Sequence, residues 1–115
     1  MGTTAGTIMI FEVVFLPEAT LDLWDLYLYI TKHDSAMRAD TMLDKLEERC
    51  SALSLNPHRG HTVPELSNVY VDGYREIHYK PYRIIFQIVG ERVFVHAVLD
   101  GRRELQEILE RRMLR

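Results

Sequence analysis

A chain of 115 residues makes one compact domain and is too short for two. Its apolar share, 47%, is ordinary for a globular protein, and its single cysteine, Cys50, excludes an internal disulfide and a cysteine-based zinc site within one chain. The formal net charge of −3 is unevenly placed: residues 1–57 carry 4 basic and 9 acidic side chains (−5), residues 58–115 carry 10 and 8 (+2). An acidic total makes a poor non-specific nucleic-acid binder and leaves only a local basic patch in the second half.

In chain order, Met1 to Met9 carries no Lys or Arg and no long apolar block, so it does not read as a secretory signal. Residues 1–8 read as a flexible extension, Met9 as a candidate natural start, and residues 9–115 as a single domain. No stretch is long and apolar enough to span a bilayer. Together with the lone cysteine this points to a cytoplasmic protein.

Ile10 to Leu16 is rich in β-branched and aromatic residues and predicts a strand. Pro17 then suits the first position of a helix, where its missing N–H is not needed, and Glu18 and Asp22 suit the positive end of that helix. From Glu18 to about Lys32, residues Leu23, Leu26, Tyr27 and Ile30 form one helix face. Leu21, Trp24 and Leu28 form a second apolar stripe, which implies burial or a covering partner. Ser35 is placed to cap a second helix running to about Leu55, whose apolar face is Ala39, Met42, Leu43, Leu46, Cys50 and Leu53. On that stripe Cys50 is a core residue before it is a reactive thiol.

Asn56 to Gly60 stops the helix, and the segment to Asp72-Gly73 has no clear period and reads as a loop. Three strand-like runs follow, Tyr74–Tyr79, Tyr82–Val89 and Arg92–Leu99, joined by connectors short enough for an antiparallel meander. After Gly101 a short helix to Leu114 places Leu105, Ile108, Leu109 and Met113 on one side. The order β-α-α-β-β-β-α predicts an α+β fold with the helical hairpin packed on an antiparallel sheet.

No glycine-rich phosphate loop or nucleophile turn is present, so no cofactor is implied. The five histidines form no i, i+4 helical pair. His58, His61 and Glu65 share a loop, but a solvated loop outweighs a metal site there, and we assign no metal. The informative set is basic. Arg75 and Arg83 fall on neighbouring strands, and Arg102 and Arg103 follow the last strand. Such guanidiniums either converge on one surface to read phosphate or carboxylate, or pair with Glu76, Asp100 and Glu104.

Several motifs resemble one family. Tyr74-Arg75-Glu76, then Tyr82-Arg83-Ile84-Ile85-Phe86, then Val93 to Leu99, then Asp100-Gly101-Arg102-Arg103-Glu104-Leu105 resemble the C-terminal half of ParE/RelE toxins. Leu53 to Gly60 resembles the end of that family's second helix, and Pro17 to Leu23 the start of its first. The resemblance implies the fold derived above and a bacterial growth inhibitor of a type II toxin–antitoxin system, neutralised by a cognate antitoxin. RelE-like members cleave messenger RNA in the ribosome; ParE-like members poison DNA gyrase.

By matching position, Arg83 falls on a family arginine and Arg75 on a catalytic lysine of the RelE-like members. Ile77 stands where those members carry a second lysine, and the last helix has no tyrosine. Glu65 and His96 echo relatives that use Glu and His, without the terminal His-Tyr pair. RNA cleavage needs a base, cationic stabilisation of the phosphorane and an acid. A nuclease reading would therefore use Arg75, Arg83, Glu65 and His96 as an incomplete set, and the ParE-like branch is favoured. Its target-binding candidates are Arg75, Arg83, Arg102 and Arg103. Leu21, Trp24 and Leu28 are the expected antitoxin anchors, and the resemblance implies a ribbon-helix-helix antitoxin in a hetero-oligomer. The rival expectations are a ribosome-dependent endonuclease and a non-toxic antitoxin-binding remnant.

Overall fold

The computed structural model describes residues 9–67 and 73–113. The expected extension at residues 1–8, residues 68–72 of the expected loop and the expected helix end at Leu114 lie outside the described residues.

The elements are β1 (Glu12–Phe15), α1 (Pro17–His33), α2 (Ala36–Ser51), β2 (His61–Thr62), β3 (Tyr74–Tyr79), β4 (Tyr82–Val89), β5 (Arg92–Asp100) and α3 (Gln106–Met113). Pro17 occupies the first turn of α1, and Leu16 before it is extended. Lys32 and His33 sit in the last turn of α1, where the helix end is negative. Ser35 caps α2 as its position predicts, its Oγ accepting from the Arg38 N–H at 3.1 Å. Ser35→Ala should lower stability by about 1 kcal/mol, measured by urea unfolding. An unchanged midpoint would show that the α1–α2 connection does not need the cap.

The sheet order is β1-β5-β4-β3-β2. The meander β3-β4-β5 is antiparallel, as expected. Two features were not foreseen. β1 joins β5 in parallel, Glu12 opposite Arg92 and Phe15 opposite Val95, so the sheet is mixed. The loop also contains β2, which pairs with β3 at the far edge; two residues are too few to show a period.

The hairpin α1–α2 covers one face of the sheet. Ala19, Leu23, Met42, Leu46, Cys50 and Leu53 pack there on strand residues including Ile84, Phe86 and Val95. Helix α3 covers the opposite face, where Leu105, Leu109 and Met113 meet Ile85, Ala97, Leu99, Val63 and Leu66. β4 is therefore sandwiched, and Ile84, Ile85 and Phe86 are all fully buried. On β5 the pairing slips: Phe86 opposes Val95 but Ile85 opposes Ala97, leaving His96 as the extra residue of a β-bulge. The bulge changes which parity of β5 residues faces the hairpin. Between β4 and β5, Gly90 adopts φ +61°, the positive value that a two-residue hairpin turn needs at its first position.

Candidate functional site

Arg83 leaves β4 on the α3 face, with its side chain 14% exposed. Its Nη1 and Nη2 donate to both carboxylate oxygens of Glu65 at 2.6 and 2.7 Å. Its Nε and Nη2 donate to Glu76 at 2.7 and 2.9 Å. Glu76 is 3% exposed, and its Oε1 also lies 2.7 Å from His78 Nε2. Glu65 stands on the helical turn Pro64–Leu66, and Gln106 of α3 donates to its backbone carbonyl at 2.9 Å. Two carboxylates on one guanidinium hold Arg83 charged, with its pKa raised chiefly by Glu65 and then by Glu76. The same bond pulls the Glu65 carboxyl below its ordinary value. Such a carboxylate is a weak base.

Arg75 lies elsewhere. On β3 it pairs with Phe86, a residue of the hairpin face, whereas Arg83 pairs with His78. Paired residues share a face, so Arg75 and Arg83 project from opposite faces of the sheet. Arg75 Nη1 donates to the Gly60 carbonyl at 2.9 Å. Gly60 itself has no room for a side chain: a Cβ there would sit 2.7 Å from the Phe86 ring. Of the two alternatives, Arg75 and Arg83 do not converge on one surface, and Arg83 pairs with Glu76.

Arg102 forks onto Asp100 through Nε at 3.0 Å and Nη2 at 2.7 Å, and its backbone N–H also donates to that carboxylate. This holds the Asp100 carboxyl below its usual range, with a smaller contribution from Arg103. Arg102 and Arg103 are both exposed at the turn between β5 and α3. His96 is half-buried on the bulge, its Nε2 3.2 Å from Gln87 Oε1 and its ring edge-on to Tyr74 at 5.0 Å. Burial lowers its pKa, which leaves it neutral at pH 7. Glu65 stands beside the first residue of α3 and His96 beside its last turn, so the two are not assembled as an acid–base pair.

One group escaped the sequence reading. Arg112 on α3 donates to Asp22 on α1 through Nη1 at 3.0 Å and Nη2 at 3.1 Å, and to the His96 carbonyl at 2.7 Å. Its Nε lies 3.1 Å from Glu18 Oε2 without hydrogen-bond alignment. Asp22 also accepts from the Val98 N–H at 2.9 Å. The pair thus closes the stretch of β5 edge that extends beyond β1 and ties α3 to α1 around it. A signal was present: with Leu105, Ile108 and Leu109, Arg112 falls within the apolar stripe of α3, and a charge there needs a buried partner.

On the hairpin's outer side, Leu21, Trp24 and Leu28 are 61, 57 and 57% exposed, so this second stripe is not buried within the fold. Beside them a groove of about 370 Å³ runs between α1 and α2, lined mainly by Leu23, Trp24, Tyr27, Asp40, Leu43 and Glu47. Among the described residues no group of three or more His, Cys, Asp or Glu could hold a metal ion, and no helix is long and apolar enough to cross a membrane. Burial pushes the Cys50 thiol up to about 12, with the Glu47 charge adding to it, so it is no nucleophile at neutral pH.

A helical hairpin and a C-terminal helix on opposite faces of a small meander sheet define a toxin fold of the RelE/ParE type. Solved structures agree. A chromosomal ParDE toxin–antitoxin system from P. aeruginosa superposes with a TM-score of 0.66 at 16% identity, covering 80% of this chain and 97% of that one. The toxin–antitoxin complex RelBE2 from Mycobacterium tuberculosis gives 0.60 at 20% identity, covering 82% and 94%. An arginine-substituted mutant of the E. coli toxin RelE in the free state gives 0.59 at 15%, covering 92% and 97%. At these identities the likeness speaks to the fold. No curated protein sequence gives a significant match. The family model "ParE toxin of type II toxin-antitoxin system, parDE" matches residues 13–105, and this chain belongs to that family.

Proposed function

We propose that this ParE-family toxin arrests growth by poisoning DNA gyrase and is neutralised by a cognate antitoxin that covers the hairpin. The observation that carries the first half is the state of the arginines. Four of the five N–H donors of Arg83 are taken by Glu65 and Glu76, and Arg75 is on the other face. A surface that cleaves RNA needs uncommitted cations and a base facing one phosphate, and this sheet offers no such set among the residues aligned with RelE-like catalysts. Purified gyrase assayed for supercoiling beside a ribosome-programmed cleavage assay tests the reading. Loss of supercoiling without transcript cleavage supports it; cleavage with intact supercoiling overturns it in favour of the endonuclease.

The exposed turn at Arg102 and Arg103 is the target-contact candidate that can be changed without touching the core. Arg102→Ala with Arg103→Ala should leave the circular dichroism spectrum unchanged and weaken growth arrest by at least about tenfold in inducer dose, the loss of one or two charge-assisted contacts. Undiminished arrest would remove this turn from the target surface. For the antitoxin, exposed Leu21, Trp24 and Leu28 are the proposed anchors, and a ribbon-helix-helix partner in a cytoplasmic hetero-oligomer is the proposed assembly. That both the P. aeruginosa and M. tuberculosis structures are of toxin–antitoxin systems supports this reading.

A further inference from the structure

The hairpin groove has a charge pattern that specifies its occupant further. Leu23, Trp24 and Leu43 make its apolar part, and Asp40 and Glu47 stand among its lining residues with no Lys or Arg. Tyr27 spans the two helices, its hydroxyl donating to Asp40 Oδ1 at 2.7 Å. Asp44 lies between Asp40 and Glu47 at i, i+4 and i+3 spacing, so three carboxylates share one side of α2. Neighbouring cations are engaged elsewhere. Lys45 pairs with Glu48 at 3.7 Å, and Arg49 reaches to the His78 carbonyl at 2.8 Å and over the Tyr79 ring. Like charges at this spacing destabilise a helix, and a bound cation removes that cost. The N-terminal half, which contributes the whole hairpin, carries the chain's negative charge.

We infer that the groove and the adjoining Leu21–Trp24–Leu28 ridge dock a cationic amphipathic segment of the partner. Bulky apolar side chains of that segment fill the space between Trp24 and Leu43, and Lys or Arg about one helical turn away meet Asp40, Asp44 and Glu47. The inference rests on the toxin–antitoxin reading for the identity of the partner, not for the chemistry of the segment. Specificity of this kind comes from opposed charge around an apolar anchor.

The test uses the full chain and two synthetic amphipathic peptides of about 16 residues, long enough for a helix to form on binding. Both carry the same Leu/Phe stripe; one has Lys and Arg beside it, the other Glu at the same positions. Trp24 is the only tryptophan, so its fluorescence reports binding directly. The cationic peptide should bind at least about tenfold tighter at low salt, as two or three surface ion pairs imply. That preference should shrink between about 50 mM and about 500 mM salt. The double variant Asp40→Asn, Glu47→Gln keeps an acceptor for Tyr27, so it should retain its helical spectrum while losing the preference. Equal or tighter binding of the acidic peptide, or no Trp24 response to either, overturns the proposal. So does Trp24 burial that follows protein concentration alone, which identifies a second copy as the occupant. Growth arrest on induction tests the toxin reading separately.

Discussion

Arg83→Met should lower the unfolding free energy by about 3–5 kcal/mol, the cost of breaking a buried ion pair by removing one partner. Methionine fills much of the space but leaves two carboxylates where the guanidinium was. Glu76 is the more costly of the two, since it is 3% exposed and its remaining hydrogen-bond partner is His78. Arg83→Lys should recover only part of the loss, because a point charge cannot serve the four oxygens that the fork now meets. Arg83→Met combined with Glu76→Gln should be more stable than Arg83→Met alone, since the amide carries no charge to strand. Urea unfolding followed by circular dichroism measures all three. A single variant within about 1 kcal/mol of the parent, an ordinary surface effect, would show that the network does not hold the α3 face.

The same network gives a pH dependence with a fixed sign. The Glu65 carboxyl is depressed in the folded chain by its bonds to Arg83. Its contribution is therefore present above the unfolded carboxylate value of about 4.3 and is lost as pH falls through the folded one. The parent should destabilise below about pH 4 while Arg83→Met, which has already lost the pair, loses less over the same window. The gap between the two chains should narrow in acid.

Local chemistry made much of this fold legible. The α2 face from Ala39 to Cys50, and Leu53 on the helical turn after it, are buried as the spacing predicts, apart from a half-exposed Leu43, and the three meander strands fall within a residue of their expected ends. The opposite projection of Arg75 and Arg83 was also written in the sequence. A Lys80–Pro81 connector sets Tyr79 against Tyr82. Arg75 lies an even number of residues from Tyr79 and Arg83 an odd number from Tyr82, so alternation sends them to different faces. Whether an arginine is committed to carboxylates is another matter. Glu65 is eighteen residues from Arg83 on an aperiodic segment, and no local pattern brings them together. The parallel pairing of β1 with β5 is likewise long-range: eighty residues separate Glu12 from Arg92, which also form an ion pair across it. The face that α3 takes depended on the bulge at His96, which alternation alone cannot place.

Arg112→Ala should cost about 2–4 kcal/mol by the same reasoning about a stranded buried charge, and it should act on a different part of the molecule. Asp22 and the His96 carbonyl each lose a donor, and Glu18 loses the cation beside it. Here the linkage of the parent's own carboxyl has the opposite sign, although the gap to the variant again narrows in acid. Burial already raises the Asp22 carboxyl above its ordinary value, against the opposing bonds from Arg112 and Val98. A raised acid takes up its proton more readily when folded, so its effect on stability is most favourable in acid and is lost as pH rises through the folded value. Removing Arg112 takes away one of the opposing bonds and pushes Asp22 higher. The deficit of Arg112→Ala should then be widest at neutral pH and shrink as pH falls. Asp22→Ala with Arg112→Ala should cost less than the two single losses summed, because neither partner is left buried alone. Hydrogen exchange locates the effect. The amides of α3 should lose protection before those of α1 and α2, since α3 is a short helix, eight residues among those described, and cannot persist without its docking contacts. Unchanged protection in α3 would show that Leu105, Leu109 and Met113 hold the helix without the clamp, and that Arg112 serves to close the β5 edge and not to dock α3.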